Sequence, residues 1–415
     1  MLNKKLLLVL ICYLPFLNIE GQQISKADST LSKNSSIAPA ITKEVKQKDL
    51  ADVVHGLSKK KKTDTATLNP NATNYHLSIV PAVGYTLQTG FAGILSGNIA
   101  YKTDKNPETK LSSITTSVTY SQYSQTILPL QADIWTKNNE YNLVSDNRFI
   151  DYPSSIYGLG GRTDPNKGVT IDFSGIKLHE TILKRVKNDL YLGLGYYYDQ
   201  FWNIKALDSL KRRDNARLNR ELGKSETASG LAFKILFDNR LNQINASNGW
   251  FVNIVFRSNF TFLKSDNNWN SLLVDVRKYI QFPRHSKNVL GFWALNWMTV
   301  GGTPPYLLLP STGWDDQYNT GRGYIQGRYR GNNMHYFETE YRYNITRNGL
   351  LGGVVFANFE RFSSEISPQF NSFTPGYGMG LRIKLNKYSG ANLCIDYGFG
   401  KDGSRGFFVN LGEVF

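Results

Sequence analysis

WFVNIVFRSNFTF (250–262) alternates along its whole length. Trp250, Val252, Ile254, Phe256, Phe260 and Phe262 fall on one side of an extended chain, and Asn253, Arg257, Asn259 and Thr261 on the other. Successive side chains of a strand point to opposite faces, so this stretch predicts a strand with one apolar and one polar face. SLLVDVRKYI (271–280) repeats the pattern, with Leu272, Val274, Val276 and Ile280 one way and Asp275 and Arg277 the other. An apolar face backed by charges suits a strand between lipid and a wet interior. A soluble sandwich, which shares much of this composition, would show shorter strands with a milder polar face.

Segments of this kind follow one another from Tyr75 onward with no helical interval. We place strands near 75–85, 89–103, 110–125, 127–138, 140–151, 168–186, 189–205, 226–240, 250–263, 269–282, 288–300, 334–346, 349–361, 375–386, 391–400 and 405–415. The expected fold is all-β: an antiparallel transmembrane β-barrel of about sixteen strands over 74–415, an even number as bacterial single-chain barrels require. The 24 Tyr, 23 Phe and 36 Gly fit that class. No apolar run reaches the roughly 18 residues of a helical span.

The front of the chain predicts its compartment. Lys4 and Lys5 precede an apolar run from Leu6 to Phe16, with Gly21 as the small residue before a cleavage, so 1–21 reads as a signal peptide. Cys394 is then the one cysteine left, and no intramolecular disulfide is expected. Residues 22–73 are polar, with a Lys59–Lys62 run, and read as a flexible, largely disordered periplasmic leader. Within it QKDLADVVHGL (47–57) has helical spacing, read as a transient helix and not as a docking element. The net charge of +15 is spread out, which argues against nucleic acid as a partner. It points instead to Arg and Lys lining a lumen, with a contribution from outer-membrane lipid headgroups.

GFFVNLGEVF (406–415) supplies a sixteenth strand. Phe407, Val409, Leu411 and Phe415 share a face, which would set Phe415 at the bilayer interface and Glu413 at the periplasmic rim, where a charge costs little. Gly406 and Gly412 would loosen the packing of this closing strand. The longest loop, 301–333, ends in GWDDQYNTGRGYIQGRYRGNN (313–333), and loops this long are usually functional. Gly321, Gly323 and Gly327 permit tight or left-handed backbone around Arg322. An Arg on such a turn can reach carboxylates, of which Glu338, Glu340 and Asp396 lie on neighbouring strands; a solvated, Gly-rich loop is the alternative. Residues 206–225, with Lys211, Arg212, Arg213, Arg217 and Arg220, form a second long outer loop.

These features resemble the barrel of the BamA/TamA outer-membrane assembly family, the bacterial surface antigen family. Arg322-Gly323-Tyr324 is similar to the Arg-Gly-aromatic motif that in this family folds back into the lumen from the sixth outer loop. FDNRLNQINASNGWF (237–251), through Asp238, Arg240 and Gly249, is similar to another family motif, as are YGLGG (157–161), IDYGFGKDG (395–403) and the closing Phe415. The resemblance covers 75–415 and implies insertion or translocation of polypeptides, with outer-membrane or exported polypeptides as clients, periplasmic partner proteins, and a weak seam between first and last strands. VFANFE (355–360) departs from the family by placing Asn358 where an acid usually partners the loop Arg, leaving Glu338, Glu340, Glu360 or Asp396 for that role. Residues 22–73 are too short and polar for a POTRA module, so a passive pore or structural barrel that has lost assembly activity is the rival expectation.

Enzyme chemistry is not indicated. His55, His76, His179, His285 and His335 lie in no hydrolase or metalloprotease pattern, and no catalytic residue, metal site or cofactor is expected. His179 and His335 read as lumen lining. Asp315-Asp316, two adjacent acids, read as solvated and not as a Ca²⁺ site.

Overall fold

The computed structural model describes residues 47–50, 52–53, 75–86, 89–106, 108–207, 222–364, 370, 372–387 and 389–415. The expected signal peptide, most of the leader and the basic residues 211–220 of the second long loop lie outside the described residues.

Alternation becomes strand throughout. The strands are β1 (Tyr75–Thr86), β2 (Gly90–Tyr101), β3 (Ser112–Ser121), β4 (Thr126–Trp135), β5 (Tyr141–Asp151), β6 (Val169–Lys187), β7 (Leu190–Ala206) and β8 (Glu226–Asp238). Next come β9 (Gly249–Asn259), β10 (Trp269–Gln281), β11 (Val289–Gly302), β12 (Asn333–Asn344), β13 (Leu351–Ser363), β14 (Thr374–Lys384), β15 (Asn392–Gly400) and β16 (Arg405–Leu411). After Pro153, which has no N–H to give a ladder, β5 resumes as Ser154–Ile156, still paired with β6. Each strand pairs antiparallel with the next, from β1 with β2 to β15 with β16. The sheet curls until β1 and β16 come within 8 Å, Cα to Cα. Among the described residues no ladder joins those two strands.

The pleat sorts the side chains as expected. Ile79, Leu95, Leu194, Phe256, Met379 and Phe407 are exposed on the outer face. Asn253, Arg257, Asp275, Arg342 and Arg382 are buried in the interior. Several basic side chains of the lumen are matched there by acids, as in Arg257–Asp199 at 2.6 Å and Arg277–Asp275 at 2.7 Å.

β16 corrects one expectation. The strand stops at Leu411, and Gly412 takes a φ of +93°, a left-handed value that glycine adopts without strain. The chain there turns into the lumen, so Gly412 redirects the closing strand and does not merely loosen it. Phe415 is buried among Tyr279, Trp293 and Val414, not set at a bilayer interface. Glu413 has a side chain only 2% exposed and sits between Arg382 and Arg342, not at a rim. Phe407 and Leu411 stay exposed on the outer face, and only the residues after Gly412 enter the lumen, where the acid has partners.

Two smaller expectations also change. His335 shares the outer-facing parity of Phe337 and Thr339; its ring bonds Asn296 and meets Phe370, whereas His179 does line the lumen against Asp199 and Tyr197. Lys48 and Asp49, within the stretch read as a transient element, are docked on two turns of the barrel.

Candidate functional site

The loop from β11 to β12 drops into the barrel and is held there by backbone geometry first. Gly323 has a φ of +115°, and a Cβ on it would lie 2.6 Å from the Phe399 carbonyl oxygen. A Cβ on Gly398 would lie 2.7 Å from the Gly323 nitrogen. Glycine on both sides is therefore what lets the Arg-Gly-Tyr turn lie against β15, and the IDYGFGKDG stretch serves as its bed. Gly406 lies opposite Gly398 in the β15–β16 ladder. Tyr324 secures the turn from its other side, donating to the Pro375 carbonyl and accepting from the Lys401 N–H at 2.8 Å.

Arg322 then meets its acids. Nη1 donates to Asp396 at 2.6 Å, and Nη2 donates to Glu340 at 2.7 Å and to Glu338. The guanidinium carbon lies 3.8 Å from the centre of the Phe356 ring. All four charged groups are at most 1% exposed. Of the four candidate acids Glu360 is the exception: it sits opposite Tyr336 in the ladder, a rung away from Glu338, and accepts from Thr312 Oγ1 at 2.7 Å. Asn358, the departure from the family pattern, holds the loop in another way, its Nδ2 donating to the Arg322 carbonyl at 3.0 Å.

The contacts continue beyond Arg322 into a closed ring. Arg382 Nη1 bonds Asp396 at 2.5 Å, and its Nε bonds Glu413 at 2.8 Å. Arg342 lies 3.6 Å from Glu413 and also bonds Glu340. Thus Arg322 of the loop and Glu413 of the inturned segment stand at opposite corners of one chain of ion pairs. The segment is gripped further by Asn319 Nδ2 on the Val414 carbonyl at 2.7 Å and by Arg342 Nη2 on the Phe415 carbonyl at 2.5 Å. Arg342, Arg382 and Glu413 were not foreseen. Parity alone marks Arg342 and Arg382 as inward, so the signal existed without a way to rank it.

A second anchor holds the loop across the lumen. Lys177 Nζ reaches Asp316 at 2.9 Å and Asp146 at 2.8 Å, while Arg148 bonds Asp146 and the Asp316 carbonyl. Lys177 and Arg148 hold the Asp316 carboxyl below its ordinary range. Asp315 is spent internally, accepting from the Asn319 and Thr320 N–H groups at 2.9 and 2.7 Å. The adjacent acids are therefore structural, and Asp315 is buried where solvation was expected. YGLGG forms a lid contact through the Gly160–Arg330 bridge. At the opposite end of the barrel Asp238 and Arg240 pair at 2.9 Å in the β8–β9 turn.

Between the loop and the β2–β5 wall lies a cavity of about 340 Å³. Ser96, Thr115, Ser117 and Gln131 of β2–β4 line one side, and Phe408, Val409 and Asn410 of β16 another, so it reaches the β16 lip of the junction.

No family model matches the sequence, and no curated protein matches it. Solved structures do. BamA from Haemophilus ducreyi lacking POTRA domains 1–3 is similar at a TM-score of 0.52 and 14% identity, over 82% of this chain and 69% of that one. CdiB from Escherichia coli gives 0.53 and 11% over 82% and 63%, and CdiB from Acinetobacter baumannii 0.50 and 13% over 82% and 60%. This chain thus spans less than two thirds of either CdiB chain. What these likenesses show is the fold, an all-β barrel of the BamA and CdiB kind.

Proposed function

We propose that this barrel sits in the bacterial outer membrane and inserts or translocates polypeptides there through the junction of β1 and β16. The observation that carries this reading is a barrel that, among the described residues, is closed by adjacency and not by a ladder. Unpaired strand edges present N–H and C=O groups that template a further strand. In every other junction those groups are already used. On the lumen side a cavity lined by β2–β5, the loop and β16, with Arg148, Asp316 and Arg322 on its loop side, leaves room for an extended chain.

The loop and the segment 412–415 act as the gate's internal support. Arg322 fixes the loop to β12 and β15, and Glu413 ties the end of β16 into the same ring. A strand that leaves the seam must carry this segment with it, so opening the seam and loosening the loop become one event. The fold likeness to BamA and CdiB supports the reading. The rival, a passive pore, is less well supported because the loop crosses the lumen where ions would pass.

Reconstitution into liposomes tests the proposal. Membranes holding the barrel should speed insertion of an unfolded client barrel well above empty liposomes, and planar bilayers should show brief, irregular conductance. No acceleration, together with large, steady, ion-selective steps, would overturn it in favour of the pore.

A further inference from the structure

A second cavity, of about 160 Å³, lies in the lumen between the β5–β11 wall and the inserted loop, with room for on the order of ten waters. The carboxylates that line it already have partners. Asp146 bonds Arg148 and Lys177, Asp316 bonds Lys177, and Asp199 bonds His179 and Arg257. Asp315 is held by the Asn319 and Thr320 N–H groups. Several of the donors in the lining have none. Lys234 of β8 is 9% exposed and, among the described residues, makes no hydrogen bond or ion pair. Arg257 of β9 spends Nε on Asn259 at 3.0 Å and Nη1 on Asp199 at 2.6 Å, while Nη2 is buried without a partner. Trp269 Nε1 of β10 is in the same state.

Register brings the two cations together. Lys234 stands opposite Val255 in the β8–β9 ladder, and Arg257 lies two residues further along. They are therefore diagonal neighbours, about 7–8 Å apart at the backbone. Arg257 is oriented in advance by its two bonds and by the rings of Tyr197 and Trp269, 5.6 and 5.1 Å from its guanidinium carbon. A buried cation costs free energy unless it is paired, and a cavity whose buried, unpartnered side-chain atoms are N–H groups suits a ligand that only accepts. Water accepts too, but brings no charge. We propose that Lys234 and Arg257 form a lumenal site for a phosphate-class oxyanion, either free phosphate or the phosphate end of a small ester. Lys234 meets it as a point charge and Arg257 through the free Nη2. Neither residue lies on β1 or β16, so the site stands independently of the seam reading.

The test is calorimetric titration of the full chain in a maltoside detergent, which carries no phosphate, at constant ionic strength set by chloride. The probes are inorganic phosphate, glycerol phosphate and acetate. One of the two phosphates should bind saturably at a single site, and the tighter of them identifies the free ion or the ester as the ligand. Lys234→Met keeps the length of the side chain and should fold, because an apolar group replaces a buried charge that has no partner. Its affinity should fall about tenfold or more, the scale of one lost charge-assisted hydrogen bond. Lys234→Gln removes the charge in a second way and should show the same loss, while Lys234→Arg should keep most of the binding. Thermal unfolding gives a separate readout, with phosphate raising the midpoint of the parent and not that of Lys234→Met or Lys234→Gln. No saturable heat from either phosphate, undiminished affinity in the Met and Gln variants, or acetate bound as tightly as phosphate would overturn the assignment.

Discussion

Mutating Arg322 and Glu413 together measures whether loop and closing strand share one network. They do not touch; Asp396 and Arg382 lie between them on one path, Glu340 and Arg342 on the other. The ring holds the cations Arg322, Arg342 and Arg382 against the acids Glu338, Glu340, Asp396 and Glu413. Arg322→Met leaves two cations facing four buried acids. Breaking a buried pair from one side costs about 3–5 kcal/mol, and the lower end applies here because Arg342 and Arg382 still reach Glu340 and Asp396. Glu413→Gln removes charge-assisted bonds worth about 1.5–3 kcal/mol. In the double variant two cations face three acids, so part of the excess negative charge is relieved. The double should therefore cost about 1 kcal/mol less than the sum, within the range found for residues in one network. Urea unfolding in lipid vesicles, followed by Trp fluorescence and far-UV circular dichroism, gives the four free energies. Additivity within about 0.4 kcal/mol, the behaviour of independent sites, would refute the ring.

Other consequences are simpler to read. Phe415→Ala empties a slot against Trp293 and Tyr279 and should cost about 3 kcal/mol in the same unfolding assay, with a change in Trp emission. Gly398→Ala places a methyl 2.7 Å from the Gly323 nitrogen; it should cost about 1–3 kcal/mol and expose the 313–333 stretch to protease in the folded barrel. Burial alone would raise the Glu413 carboxyl, yet Arg382 and Arg342 more than offset it and hold it down to about 2. Its folded value lies below its ordinary one, so its contribution is complete above the ordinary carboxylate range. That contribution is lost as pH falls from about 4.5 toward 2. Unfolding midpoints across that window should fall for the parent and flatten for Glu413→Gln.

The barrel was legible because a strand's period of two writes burial straight into the order of residues. WFVNIVF and SLLVDVRKYI needed no tertiary information, and each predicted strand appears within a few residues of its place. Arg322 was legible through glycines that permit an unusual turn. Its partners were only half legible. Parity says that Glu338, Glu340, Glu360 and Asp396 face inward but not at which height, and height is set by ladder register, which excludes Glu360. Residues 412–415 were misread because a strand pattern continues unbroken through a turn. Gly412 followed by Glu413 was the visible trace of that turn. Docking of Lys48 and Asp49 depends on two turns more than 290 residues away, and no local period records such a contact.

The central claim is that β1 and β16 part during function. Cysteines at Ile79, Pro81 or Val83, paired in turn with cysteines at Phe407, Val409 or Leu411, would bridge the lips in a Cys394→Ser background. Client insertion into liposomes should stop when the bridge is oxidised and return when it is reduced. A bridged barrel that inserts client as fast as the reduced one would contradict the account.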